Sequence, residues 1–268
     1  MTIATITTNS LSTTVAKTNA EFVDFLTTQY TTNLGFTLVD TINGATERRV
    51  LSYVYNSAKT KGTVFLRLSV SGTGTLTYSI FDSWNVGADT GTNQSTECTV
   101  TYSQSSGAAI VATSYNHPEF RGIVLTQTTT HNIIGLIRPL TVPTWWNEDT
   151  ALYSFMLQNS SSQANHLNLL TTAGNVLGVT QYEILYALGM VQKQIYTDKF
   201  SILKGLLIST GATGTSKVGV IVKTSGDLGI SSVATLNPKD PLVVSLGVEE
   251  YEFMSNSTYA PGLVIRKV

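Results

Sequence analysis

Charge and cysteine are both scarce in this 268-residue sequence. Cys98 is the one cysteine, which excludes an intrachain disulfide framework. Only 12% of the residues are charged, against about 25% in an average soluble domain. Lys+Arg is 16 and Asp+Glu is 17, a formal net charge of -1. That balance provides no basic face, so no nucleic-acid partner is expected. No apolar run approaches the roughly 18 residues of a membrane helix, and no membrane span is expected. The opening MTIATITTNSLSTT lacks the basic start and apolar core of a secretory leader. Nothing matches G-x-S-x-G, and the three histidines, His117, His131 and His166, sit in no metal-ligand spacing. Neither catalysis nor a cofactor nor a bound metal is expected.

What abounds is hydroxyl. The sequence holds 42 threonines and 26 serines, a quarter of the chain. Threonine favours strands and serine favours turns. Composition therefore predicts a mainly β protein with a neutral surface, suited to a chain covered by its neighbours rather than one kept soluble by charge. The Thr-rich first 17 residues read as an extended arm or an edge strand. Thr18 and Glu21 then form a T-x-x-E capping box. Phe22, Phe25, Leu26, Tyr30 and Leu34 make one apolar stripe, and Gly35 stands where a C′ glycine belongs. These signals predict a helix over 18–34.

Period two follows. Strands are expected at 36–42, 48–55, 63–70 and 75–82, the last two as a hairpin around Ser71-Gly72-Thr73-Gly74. After a long polar loop at 83–97, strands resume at 98–103, 108–115, 121–128, 132–138 and 151–158. Short strands at this spacing predict an antiparallel β-sandwich capped by one N-terminal helix, over residues 1–160. Ser160-Ser161-Ser162-Gln163 is the candidate linker. Beyond it, 161–268 reads as a smaller α+β domain. Thr180 and Glu183 suggest a second capped helix at 181–195, before apolar strands at 200–209, 217–224, 241–247 and 263–267. The run STGATGTSKVGV (209–220) lacks the spacing of a phosphate loop and reads as a hairpin turn.

All three tryptophans lie in expected loops beside amide and carboxyl groups. Trp84, Asn85 and Asp89 belong to 83–97. Trp145, Trp146, Asn147 and Glu148 belong to 141–150. One reading gathers both loops into a contact surface, with the indoles as anchors and the polar side chains fixing orientation. The bland alternative folds the rings back over the ends of the sandwich. Asp82 and Asp89, with Asn85 and Asn93, suggest calcium weakly, since no D-x-[DN]-x-[DN]-G pattern is present. Glu148-Asp149 beside two indoles, with Glu119 as a distant partner, is a weak candidate for glycoside hydrolysis.

The segments TVFLRLSV (63–70), TLTYSIFDSWNVGADTGTNQS (75–95), NHPEFRG (116–122), GLIRPL (135–140) and PTWWNEDT (143–150) resemble stretches of tailed-bacteriophage virion proteins encoded among tail and other structural genes. The resemblance spans about 36–150. It implies a structural role in the virion, assembled in the host cytoplasm, in the tail or baseplate. The implied partners are further copies of this chain and other virion proteins. Two alternatives stand beside it: an adhesin gripping a host surface glycan, and a capsid decoration protein.

Overall fold

The computed structural model describes residues 3–128, 130–158, 169–174, 182–185, 202–210, 220–231, 241–243, 249–254 and 262–267. The first half runs β1 (Thr5–Leu11), α1 (Asn19–Thr28), β2 (Thr37–Ile42), β3 (Thr46–Val54), β4 (Thr63–Ser71), β5 (Thr75–Phe81), β6 (Ser83–Asn85), β7 (Thr90–Thr92), β8 (Cys98–Thr101), β9 (Ile110–His117), β10 (Phe120–Gln127) and β11 (Thr130–Ile137). The second half adds β12 (Phe155–Gln158), β13 (Leu169–Thr172), β14 (Tyr182–Leu185), β15 (Ile202–Lys204), β16 (Leu207–Thr210), β17 (Val220–Lys223), β18 (Leu228–Ser231), β19 (Pro241–Val243), β20 (Glu250–Phe253) and β21 (Gly262–Arg266). The protein is mainly β with one N-terminal helix, as its composition implies.

Three layers result. A nine-stranded antiparallel sheet, β1-β9-β10-β11-β12-β13-β14-β16-β17, has a five-stranded sheet on each side. One is β2-β3-β4-β5-β8 and the other β15-β18-β21-β20-β19. Period two decides which side chain seals which seam. Ile110, Ala112, Ile123, Leu125, Ile134 and Leu136 face α1 and the first sheet, meeting Val64, Leu66, Leu68 and Val70 of β4. The alternate residues Tyr115, Phe120, Val124, Ile133 and Ile137 face the other way, toward Leu228, Leu263 and Ile265. Gly122 and Gly135 are cross-strand partners, and a Cβ on either would strike the Phe120 ring. The paired glycines clear the floor on which that ring lies.

The capping box is present: Thr18 Oγ1 accepts from the Glu21 N–H, and Glu21 Oε2 accepts from the Thr18 N–H. Phe22, Leu26, Tyr30 and Leu34 are fully buried, but Phe25 is only half-buried and Val23 is buried in its place. The helix widens to a π-turn at Gln29–Asn33, which adds a residue to the repeat before Gly35 ends it at φ 75. The stripe Phe22, Leu26, Tyr30 and Leu34 still faces the core through both segments, and Phe25 packs against it at the edge. Tyr30 donates its hydroxyl to the Ile134 carbonyl at 2.8 Å, pinning the π-turn to the large sheet.

The expected linker at 160–163 lies outside the described residues; β12 before it pairs with β13 after it in the same nine-stranded sheet. Residues 182–185, expected as the start of the 181–195 helix, are instead β14, paired with β16. A short apolar run is ambiguous between helix and strand, and here pairing to β16 decides. The remainder of that expected helix, and the centre of the 209–220 turn, lie outside the described residues. The expected strand 200–209 is broken at Gly205, whose φ is 83. β15 and β18 pair in one sheet while β16 and β17 pair in another, so this hairpin passes from sheet to sheet. The Thr224 hydroxyl accepts the Leu206 N–H at 2.8 Å at that corner.

Candidate functional site

The two tryptophan loops are built differently. The first carries the short hairpin β6–β7. Trp84 packs edge-on to Phe81 at 5.2 Å and donates its indole N–H to Asp40 of β2 at 2.7 Å. Gly91, its cross-strand partner, leaves room for both rings. At the base of this loop, the Asp82 carboxylate accepts from Thr92, Asn93 and the Lys61 ammonium. Burial opposes its ionisation, but these bonds outweigh burial and hold the Asp82 carboxyl below the usual range. Asn85 and Asp89 are exposed at the tip; Asn85 closes a turn by accepting from the Gly87 N–H, and Asp89 has φ 53.

The second loop is pinned at several points. Trp146 is buried against Tyr153 and Phe155 and donates its indole N–H to the Ala151 carbonyl. Glu148 is buried and pairs with Arg138 at 2.6 Å. Arg138 also lies over the Tyr55 and Tyr153 rings. Burial pushes the Tyr55 hydroxyl up to about 12, although Arg121 and Arg138 oppose the shift. Exposed Asn147 accepts the Asp149 N–H on its side chain and the Thr150 and Ala151 N–H groups on its carbonyl. Trp145 remains 51% exposed.

Trp146 and Glu148 are thus framework residues and not surface contacts, and Trp84 is tethered. The burial of Trp146 and the tie of Trp84 agree with rings folded back on the body. The sequence WWNED does not say which indole turns inward; the two rings stay in contact, with centroids 5.6 Å apart and planes tilted by 51°. Both loops meet the turn at 56–62. Lys61 donates its backbone N–H to the Glu148 carbonyl at 2.8 Å and its ammonium to Asp82 at 2.9 Å. Lys59 pairs with Asp149 at 2.8 Å, and Lys59 and the Thr60 N–H hold the Asp149 carboxyl below its ordinary range.

The described residues also hold a buried polar cluster between the nine-stranded sheet and the second five-stranded sheet that the sequence did not reveal as a cluster. In the turn between β9 and β10, Glu119 is 1% exposed. Its two oxygens accept the Ser225 N–H at 2.8 and 2.9 Å, and one also accepts the Leu140 N–H. His117 accepts the Glu119 N–H on Nδ1, and its Nε2 faces Asp227 at 3.6 Å. Arg266 approaches Asp227 at 3.5 Å and Glu249 at 3.7 Å. Tyr115 donates to Glu252 at 2.7 Å. These partners lie 100 or more residues apart in several cases, as for Glu119 and Ser225 at a separation of 106. From the sequence, His117-Pro118 reads only as a strand break and Glu119 only as a distant partner of Glu148-Asp149. The chain matches no protein-family model and no curated protein sequence.

Proposed function

We propose that the protein is a structural component of a tailed-phage virion, placed in the tail or baseplate and assembled in the host cytoplasm. It works by protein–protein contact with further copies of itself and with neighbouring virion proteins. The observation that carries the assembly role is Trp145. A large ring 51% exposed is a natural interface anchor, and this one is presented on a loop immobilised by Arg138, Lys59 and Lys61. A rigid anchor loses little conformational freedom on binding. The hydroxyl-rich, charge-poor composition supports the same reading. The virion itself rests on the resemblance of 36–150.

A cryo-EM map of assembled particles tests this reading. Density for the chain in contact with its own copies or other virion proteins through 141–150 is the expected result. A purified protein that stays monomeric at high concentration and is missing from particles overturns it.

A further inference from the structure

A cavity of about 270 Å³ opens where the 138–141 segment meets the second five-stranded sheet, lined by Leu140, Lys204, Ser225, Asp227, Glu249 and Arg266 among others. We infer that this cavity is a binding site for a neutral polyhydroxylated ligand, a single sugar ring. The inference goes beyond the assembly role and uses none of the tryptophan-loop residues.

The charge of the lining points to neutrality. Two cations and two carboxylates meet there, and they are already matched. Lys204 pairs with Glu249, and Arg266 approaches both Asp227 and Glu249. An anion would face the two carboxylates, and a cation would face Lys204 and Arg266. A zwitterion would have to break the existing pairs. Hydroxyl groups need not. A carboxylate has about four lone-pair sites and a guanidinium five N–H donors, so paired groups keep capacity for further hydrogen bonds. Their pairing also fixes them in place, which is what recognition of hydroxyls at defined positions requires. Leu140, 63% exposed on the rim, offers apolar surface to the C–H face of a ring. The volume lies at the small end for ligand pockets, which suits one ring rather than a chain of them.

The cavity is also preformed. Glu119, buried beneath it, ties both walls: one carboxylate holds the Leu140 N–H on one side and the Ser225 N–H on the other. His117, from the same turn, faces Asp227 from behind. The Tyr251 hydroxyl donates to the Gly226 carbonyl at 2.9 Å and closes the turn that carries Asp227. Tyr251 lines the cavity itself, while Glu119 and His117 are buried and brace it without lining it; support of that kind from behind the lining is the build of a binding site.

The test is a titration of the full chain by NMR. The probes are the methyl glycosides of glucose, galactose, mannose and N-acetylglucosamine, with inorganic phosphate, lysine and glutamate as charged controls. The expected result is saturable binding of at least one glycoside, with a dissociation constant on the order of 1 mM. Glu249→Gln and Lys204→Gln, both on the open side, should each weaken it roughly tenfold, about 1.4 kcal/mol, at an unchanged melting temperature. Trp145→Ala should leave it intact. No saturable shift with any glycoside overturns the inference. So does binding of only the charged controls, or sugar binding lost with Trp145→Ala but kept in Glu249→Gln. A Trp145→Ala protein that fails to assemble yet still binds sugar separates this site from the assembly role.

Discussion

Toward α1 and the first five-stranded sheet, the nine-stranded sheet presents Ile110, Ala112, Ile123, Leu125, Ile134 and Leu136. Toward the second five-stranded sheet it presents Phe120 and Val124 together with Tyr115 and the His117–Glu119 turn. The first seam is an apolar one, crossed by few polar groups, such as the Tyr30 and Tyr102 hydroxyls that bond to strand carbonyls. The second buries charge. Apolar burial is non-directional and is not screened by salt, whereas buried charge demands partners and geometry. The first seam is therefore expected to carry stability, and the second to define position and to leave room for a cavity.

The largest effect should come from the apolar seam. Phe22, fully buried on α1 and edge-on to Tyr102 at 6.0 Å, should cost about 3–5 kcal/mol when cut to alanine. Thr18→Ala removes only the cap, at about 0.5–2 kcal/mol. Urea melts of both variants, at low and high sodium chloride, should show the larger loss for Phe22→Ala, and salt should not shrink that loss. Equal small losses would mean that α1 is not docked.

In the polar seam, Glu119→Ala leaves the Ser225 and Leu140 N–H groups without their acceptor. Both bonds are part-buried; a donor orphaned away from water costs about 1–3 kcal/mol, and one that can reach water costs less. Glu119→Gln keeps a carbonyl acceptor and should lose less. Melts in which alanine and glutamine behave alike would deny the carboxylate its bracing role.

Titration sharpens the contrast further. Burial raises the Tyr30 hydroxyl in the first seam and the Tyr115 hydroxyl in the second, where the Glu252 carboxylate adds to the shift. A folded-state pKa above the unfolded one gives stability that is complete below about pH 10 and is lost as pH rises beyond it. Alkaline melts should fall away above that value, and Tyr30→Phe should flatten the decline. Asp82 has the opposite sign. Its lowered carboxyl stabilises above about pH 4, and that contribution disappears as pH falls through the folded value. Hydrogen exchange at 83–92 should rise in acid before it rises elsewhere; uniform exchange would contradict the local role of Asp82.

The same division explains what the sequence revealed. The Thr18/Glu21 box, the alternation in TVFLRLSV and the 75–82 strand are local signals, and the structure carries each of them as α1, β4 and β5. The edge-strand alternative for the first 17 residues is realised in β1. The expected stripe holds as well: Phe22, Leu26, Tyr30 and Leu34 are fully buried on both sides of the π-turn, and Phe25 packs against the same core at its half-buried edge. The fate of Trp145 against Trp146 depended on Tyr153 and Phe155, and the polar seam depended on pairs such as Tyr115–Glu252, 137 residues apart. Spacing along a chain carries no information about such pairs.

The smallest expected effect on stability belongs to the residue with the largest expected effect on assembly. Trp145→Ala alters an exposed ring and should change stability by no more than about 0.5 kcal/mol, while Trp146→Ala opens a buried site and should cost about 3–5 kcal/mol. The decisive measurement is incorporation of the Trp145→Ala protein into particles, read beside its melting temperature. The account predicts an unchanged melting temperature with incorporation reduced at least roughly thirtyfold, the scale of an interface anchor worth about 2 kcal/mol. Normal incorporation of a normally folded Trp145→Ala protein would contradict it.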